Sequence, residues 1–330
     1  VHRRAAPIGI GLLRVGEVVR ATDRPALSPM VWSPDGGQFA YGSRDGVWVH
    51  HVGDATGRKI APGEAVTILA WSPADGTLAY VDRGALWVVQ SDGSLRRRIP
   101  IRGIAAGPTW APGGDRLAFA VRTVGSGPAE SQLWIAGPGG AEPQQIRWQL
   151  KGRHIGALGW FPDSLHLFVG LTSQDGEASV EWWQVRTAHL DSRRLPGPPF
   201  PVAEAVLSPT GEWVAFVAGS PGAERAYVVR RGGGGLAPIS PAVRRLCGLA
   251  WSLHGDKLAY GLMRDEATAE IYATSVSRRT PALVASHRIG LPDPAVALSL
   301  AWSPDDARLA FGTNTGTHTG PVWFIRFLAR

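Results

Sequence analysis

The chain has 330 residues, of which 44% are apolar, and its mean hydropathy is −0.03; no apolar run reaches the roughly 20 residues of a membrane-spanning helix. Its formal net charge of +7 is carried almost wholly by arginine, lysine occurring only at Lys59, Lys151 and Lys257. Cys247 is the single cysteine, which excludes an internal disulfide.

Residues 1–30 precede a repeated pattern. The chain opens at Val1 with no initiator methionine and no signal peptide, which sets the expectation of a processed protein or an excised domain. Gly16 to Thr22 reads as one short strand, rich in β-branched residues, ahead of a turn at Asp23-Arg24-Pro25. Val31-Trp32-Ser33-Pro34-Asp35-Gly36 then opens the pattern. Ala70-Trp71-Ser72-Pro73-Ala74-Asp75-Gly76 and Ala301-Trp302-Ser303-Pro304-Asp305-Asp306 repeat it. Looser copies begin at Trp110, Trp160, Leu207 and Trp251, so the units start near 31, 70, 109, 159, 206, 250 and 301. A period of roughly 40–50 residues in a strand-rich chain is the signature of a propeller array.

Each unit follows one plan. A strand of small residues runs into the motif, and the Pro-Asp-Gly step makes a tight turn: proline fixes φ, aspartate bonds the backbone and glycine accepts positive φ. In the second strand, Phe39, Leu78, Leu117, Leu167, Val214, Leu258 or Leu309 lies seven positions after the Trp position. Two further on comes Tyr41, Tyr80, Phe119, Val169, Phe216, Tyr260 or Phe311, on the same strand face. The residue between is alanine in six units and Phe168 in the fourth. A third strand is aromatic, as at Trp48, Trp87, Trp134, Trp183, Tyr227, Tyr272 and Trp323, and a more polar fourth ends near Ile60, Ile99, Ile146, Leu195, Ile239 and Leu283. The seventh unit stops after its third strand, and the N-terminal strand is left over. Sharing the last blade between the chain ends uses both, with residues 16–22 against 322–327, and closes the open edge. The expectation is an all-β, seven-bladed β-propeller of four-stranded antiparallel blades, a single domain over 1–330. Trp71 is expected at a blade interface near Leu78 and Tyr80.

The Trp-Ser-Pro-Asp-Gly turn followed by a Leu-Ala-Tyr/Phe strand resembles the TolB-type WD-like β-propeller repeat, from about residue 31 to 330. The resemblance implies a propeller in which these motif residues are structural, and an extracytoplasmic location, periplasmic or at the cell surface. It leaves function open, because the repeat serves in envelope proteins, in the substrate filters of peptidases resembling prolyl oligopeptidase, and in scaffolds.

The residues argue against chemistry of the chain's own. No Gly-x-Ser-x-Gly elbow occurs. His50 and His51 are neighbours on a strand and point to opposite faces, so they cannot share one metal ion. Gly232 to Gly235 has no following helix to cradle phosphate. No metal and no cofactor are expected, and the chain is not expected to be an enzyme. The runs Arg96-Arg97-Arg98, Arg193-Arg194, Arg230-Arg231 and Arg278-Arg279 fall at or near the outermost strands. There they discourage edge-to-edge association, and they are too scattered for a nucleic-acid track. Loops before the first strand and between the second and third share one end of a propeller, around the channel mouth, and vary most in length. They supply Arg44, Asp45, Asp82, Arg83, Arg122, His154, Asp175, Arg264, Asp265 and His318 as candidate ligand contacts. The expected function is binding of a protein or peptide partner there by a chain that is monomeric on its own. The alternatives are the substrate-gating propeller of a larger hydrolase and a carbohydrate-binding propeller that stacks sugar on an exposed tryptophan such as Trp148.

Overall fold

The computed structural model describes residues 9–10, 13–27, 29–54, 56–123, 131–148, 150, 153–172, 181–188, 191–220, 222–263, 268–276, 281–288, 297–314 and 320–329. Within them the chain forms seven antiparallel sheets, six of four strands and one of five. Blade 2 shows the plan: Val66–Trp71, Thr77–Asp82, Ala85–Gln90 and Arg97–Arg98 run from the innermost strand outward. The innermost strands touch in cyclic order, blade 7 returning to blade 1. This is the expected seven-bladed propeller. One single-turn helix, Pro138–Gly140, interrupts the strands.

Strand alternation explains the packing. Among the described residues there are seven hydrophobic clusters, one for each pair of neighbouring blades. Between blades 2 and 3, Ala79 and Val81 of one sheet meet Trp110, Leu117 and Phe119 of the next. The large residues of the second strand face the preceding blade, and the alanine between them faces the following one, where bulk would collide. The exception is instructive. Blade 5 has Leu207 where other units have tryptophan, and blade 4, which faces it, has Phe161 and Phe168 where others have a small residue. All three meet in one cluster with Trp182 and Phe216. The lost indole volume is refilled from across the interface. Trp71 packs between blades 1 and 2 with Leu78 and Tyr80, as expected.

The motif turns need one residue at positive φ. Glycine supplies it at Gly36, Gly76, Gly114, Gly211 and Gly255; Ser164 (φ 55°) and Asp306 (φ 56°) do so in blades 4 and 7. Both exceptions use their side chains to reach the preceding blade. Ser164 Oγ accepts the Gly113 N–H at 3.2 Å, and Asp306 accepts from Lys257 Nζ at 2.8 Å. At Gly114 a Cβ would stand 2.3 Å from Ala74 Cβ of blade 2, so backbone conformation and close approach both demand glycine there.

Closure follows the expected route with two corrections. Leu13–Pro25 pairs antiparallel with Pro321–Ala329, Val18 opposite Ile325 and Arg20 opposite Trp323. The strand is longer than residues 16–22. It continues through the expected turn at Asp23 because irregularities on either side of Val18 and Arg20 absorb extra residues, returning Pro25 to register opposite Pro321. Gly9–Ile10 then folds back as a fifth, outermost strand with no signal in the repeat pattern.

Candidate functional site

At the end carrying the motif turns, five tryptophans form a relay around the axis. The indole N–H of Trp32, Trp110, Trp160, Trp251 and Trp302 donates to the carbonyl of Ala301, Ala70, Thr109, Val206 and Ala250, at 3.0–3.3 Å. Each acceptor directly precedes the motif position of the preceding blade. The relay lapses where Leu207 has no side-chain N–H, and at Trp71, whose buried Nε1 has no partner among the described residues. This end is built for cohesion between blades.

The opposite end carries the sequence-predicted contacts. Arg44 and Asp45 form the turn between Ser43 and Gly46 of blade 1; Arg44 is exposed. Asp45 accepts from Trp48 Nε1 at 2.9 Å and Lys59 Nζ at 3.2 Å. Partial burial pushes its pKa up, but the bonds from Trp48 and Lys59 outweigh that and hold the carboxyl below its ordinary range. In blade 2, Asp82 accepts the N–H groups of Glu64 and Ala65 at 3.1 and 2.9 Å, fixing the loop that enters the blade. Arg83 reaches Glu64 instead, in an ion pair whose side chains are 66% and 64% exposed. So the neighbours Asp82 and Arg83 converge on Glu64, the first on its backbone N–H and the second on its carboxylate. Arg122 is exposed at the end of the second strand of blade 3, opposite Ile104 and Ser131. His154 starts blade 4, half-buried, with Nδ1 3.3 Å from Ser131 Oγ. Asp175, Arg264, Asp265 and His318 lie outside the described residues.

Two acids at or near this end escaped the sequence reading. Glu181, where the third strand of blade 4 begins, accepts from Trp183 Nε1 at 3.2 Å and pairs with Arg153 and, at 3.4 Å, Arg194. Burial raises its pKa, but the Trp183 and arginine contacts prevail and leave it lowered. The signal was present across units: Gln132, Glu181 and Glu270 each lie two residues before a third-strand aromatic and accept its N–H or O–H. The second acid is Glu204, on the innermost strand of blade 5. Its carboxyl lies against blade 6, the residue being half-buried, and Oε1 accepts the Leu249 N–H at 3.4 Å. Burial raises its pKa. No periodic position marks it.

The other candidates are placed plainly. His50 is buried, stacked on Phe39 with Nε2 3.2 Å from Tyr41 Oη, while His51 is exposed beside Gln38; the two do face opposite ways. Among the described residues no three His, Cys, Asp or Glu side chains converge, and no helix is long and apolar enough to cross a membrane. Trp148 is half-buried, its ring edge-on to Trp183 at 5.6 Å, and does not stand out as a sugar-stacking platform. The outer arginines do more than solvate an edge. Arg58 of blade 1 donates to the Ser91 and Asp92 carbonyls of blade 2, and Arg97 of blade 2 to the Gly139 carbonyl of blade 3, latching each blade to the next. Arg278 and Arg279 lie outside the described residues.

No protein-family model matches the chain, and no curated protein matches its sequence. Solved structures share its fold. The β-propeller domain of Myceliophteria thermophila Cps50 (Swd1) is 15% identical with a TM-score of 0.65, over 94% of this chain and 98% of that one. Oligogalacturonate lyase from Vibrio parahaemolyticus is 11% identical with a TM-score of 0.69, over 97% and 96%. TolB from Acinetobacter baumannii is 13% identical with a TM-score of 0.54, over 77% of this chain and 61% of that one. The likeness is to propellers of different kinds, enzyme and non-enzyme alike, and it is a likeness of fold.

Proposed function

We propose that the chain, taken over 1–330 as one propeller domain, is a non-catalytic module that binds a protein or peptide at the end of the ring bearing Arg44, Arg83, Arg122 and His154. One observation carries this reading. At the motif-turn end the tryptophan N–H groups are committed to bonds between blades, and the opposite end presents exposed charged groups of both signs, Arg44, Glu64, Arg83 and Arg122, on loops that differ from blade to blade. A rigid frame reads a partner through such loops without rearranging its blades. The resemblance of the repeat to the TolB type supports a TolB-like role outside the cytoplasm.

The test is a pull-down with the full chain, followed by affinity measurement on the captured partner. Arg44→Glu/Arg83→Glu is expected to weaken binding tenfold or more, through lost desolvated contacts. Arg193→Glu, on the exposed outer strand of blade 4, is expected to change only the salt dependence. Retained affinity in the first variant and lost affinity in the second would move the site to the blade edges. Oligogalacturonate is the contrasting probe, because a propeller of similar fold is a lyase for it; turnover by this chain would overturn the non-catalytic reading.

A further inference from the structure

Blades 2, 3 and 5 join their third and fourth strands by the same turn. In blade 2, Gln90 N–H donates to Ser94 O at 2.9 Å and Gly93 N–H to Gln90 O at 2.8 Å; Gly137 with Ala141 and Arg230 with Gly234 repeat the pattern. The next residue must be left-handed in all three: Leu95 (φ 52°), Glu142 (φ 45°) and Gly235 (φ 71°). Glycine is the residue this backbone prefers, and blade 5 uses it. Blade 3 places a glutamate there and blade 2 a leucine, a residue that is 77% exposed. Neither the turn nor the core asks for it.

Leu95 lies on a groove of about 400 Å³ in the outer wall, between the edge of blade 2 and the Pro138–Gly140 turn of blade 3. Val88, Val89 and Thr77 line it together with Arg96 and Arg97. Those guanidinium groups are held but not neutralised. Arg96 lies 4.0 Å from the Trp87 ring centroid and donates to Tyr80 Oη at 2.8 Å and Pro62 O at 3.2 Å; Arg97 donates to Gly139 O. Every one of these partners is uncharged, and among the described residues neither arginine pairs with a carboxylate. The edge of blade 2 therefore joins an exposed apolar side chain, tolerated against the local backbone preference, to two fixed positive charges without counter-charge, Arg97 on the blade 3 side beside the groove and Arg96 on the blade 1 side.

We propose that this lateral groove is a second binding surface, which takes an extended acidic peptide carrying an apolar side chain. The apolar side chain packs on Leu95, and the carboxylates meet Arg97 in the groove and, where the peptide crosses the blade edge, Arg96 on the far side; their planar forks suit carboxylates. An acidic sugar or a nucleic acid would satisfy the charges and leave Leu95 without a partner. Fixing an unfavourable backbone residue at an exposed site is the pattern of stability given up for binding.

The experiment is fluorescence-polarisation titration of the full chain with a short fluorescein-labelled peptide, in which two leucines alternate with aspartate and glutamate between glycine–serine flanks. Saturable binding is expected, weakening as salt is raised. Leu95→Gly, which gives the turn its preferred residue, is expected to lower affinity about tenfold while the melting temperature holds or rises. Replacing the peptide's leucines by serine is expected to do the same, and Arg83→Glu at the channel mouth to leave binding unchanged. Absence of saturable binding would overturn the proposal. So would undiminished affinity in Leu95→Gly or for the serine peptide; competition by heparin in those cases would show a site for polyanions in general. Loss of binding in Arg83→Glu with retention in Leu95→Gly would assign the peptide to the mouth, a failure distinguishable from that of the mouth reading itself.

Discussion

At Glu204 the chain sets a carboxyl between the innermost strands of blades 5 and 6, with a single backbone N–H for a partner among its described bonds. Burial lifts its pKa above the ordinary glutamate value of 4.5. The sign of the linkage follows: a raised folded-state pKa contributes stability that is fully present below the unfolded value and is lost as pH rises through the folded one. At neutral pH this side chain opposes folding. Glu204→Gln should stabilise the protein at pH 7, by up to about 1 kcal/mol because the half-buried carboxylate keeps one N–H partner, and by little near pH 4. Urea unfolding at both values checks it; equal effects at the two would show that the carboxyl ionises freely in the folded protein. Asp45 and Glu181 are shifted in the opposite sense, and both of them and Asp82 are held as acceptors by named donors, so the three shape the mouth loops as much as they offer charge to a partner.

The blade interface is the unit that settles at the next scale. Alanine in the middle of each second strand makes room for the large residues of the following blade, and the paired departure of Leu207 and Phe168 obeys the same volume rule. Phe168 is fully buried, edge-on to Trp182 at 5.8 Å. Phe168→Ala should therefore cost about 3–5 kcal/mol, as large aromatic truncations do. Adding Leu207→Trp should recover part of the loss, because that pair reverts two of the three departures from the other interfaces and leaves Phe161. Denaturant midpoints of the single and double variants decide it. A double variant no better than the single would mean that Phe168 is not standing in for the missing indole. The latches from Arg58 and Arg97 act at this scale too, which is why charge reversal at Arg97 confounds binding with blade cohesion.

For the whole molecule, the decisive feature is that the ring has no free end. Leu13–Pro25 completes the last blade, Thr22 Oγ1 accepts the Val322 N–H at 3.0 Å, and Arg326 pairs with Glu17 at 2.7 Å. Deleting residues 1–25 exposes the edge of Pro321–Ala329 and uncovers Phe324 and Phe327. The truncated protein should aggregate or melt markedly lower, since an open edge templates pairing. A monomeric truncation with an unchanged melting temperature in light scattering and calorimetry would show that closure lies elsewhere.

Much of this architecture was readable in the residues, for a physical reason. A repeat writes the same local requirements seven times: a turn that needs proline and positive φ, a strand that needs bulk, smallness and bulk again. Recurrence separates them from chance, so the blade count, the shared last blade and the interface position of Trp71 followed from spacing alone. The sequence by itself also set the opposite faces of His50 and His51, because alternation along a strand is local. What it left open depends on neighbours from other blades. The indole relay needs each tryptophan to meet a carbonyl some 40–50 residues or more away. Phe168 looks anomalous until Leu207 is placed opposite it. Arg97 reads as edge charge until Gly139 arrives beside it, and Leu95 reads as an ordinary loop leucine until its φ is known. The placing of Glu204 against blade 6, the convergence of Asp82 and Arg83 on Glu64, and the half-burial of Trp148 were decided only by tertiary structure. Each is set by the approach of one blade to the next or by a loop fold outside the repeat, and no periodicity along a single strand encodes either.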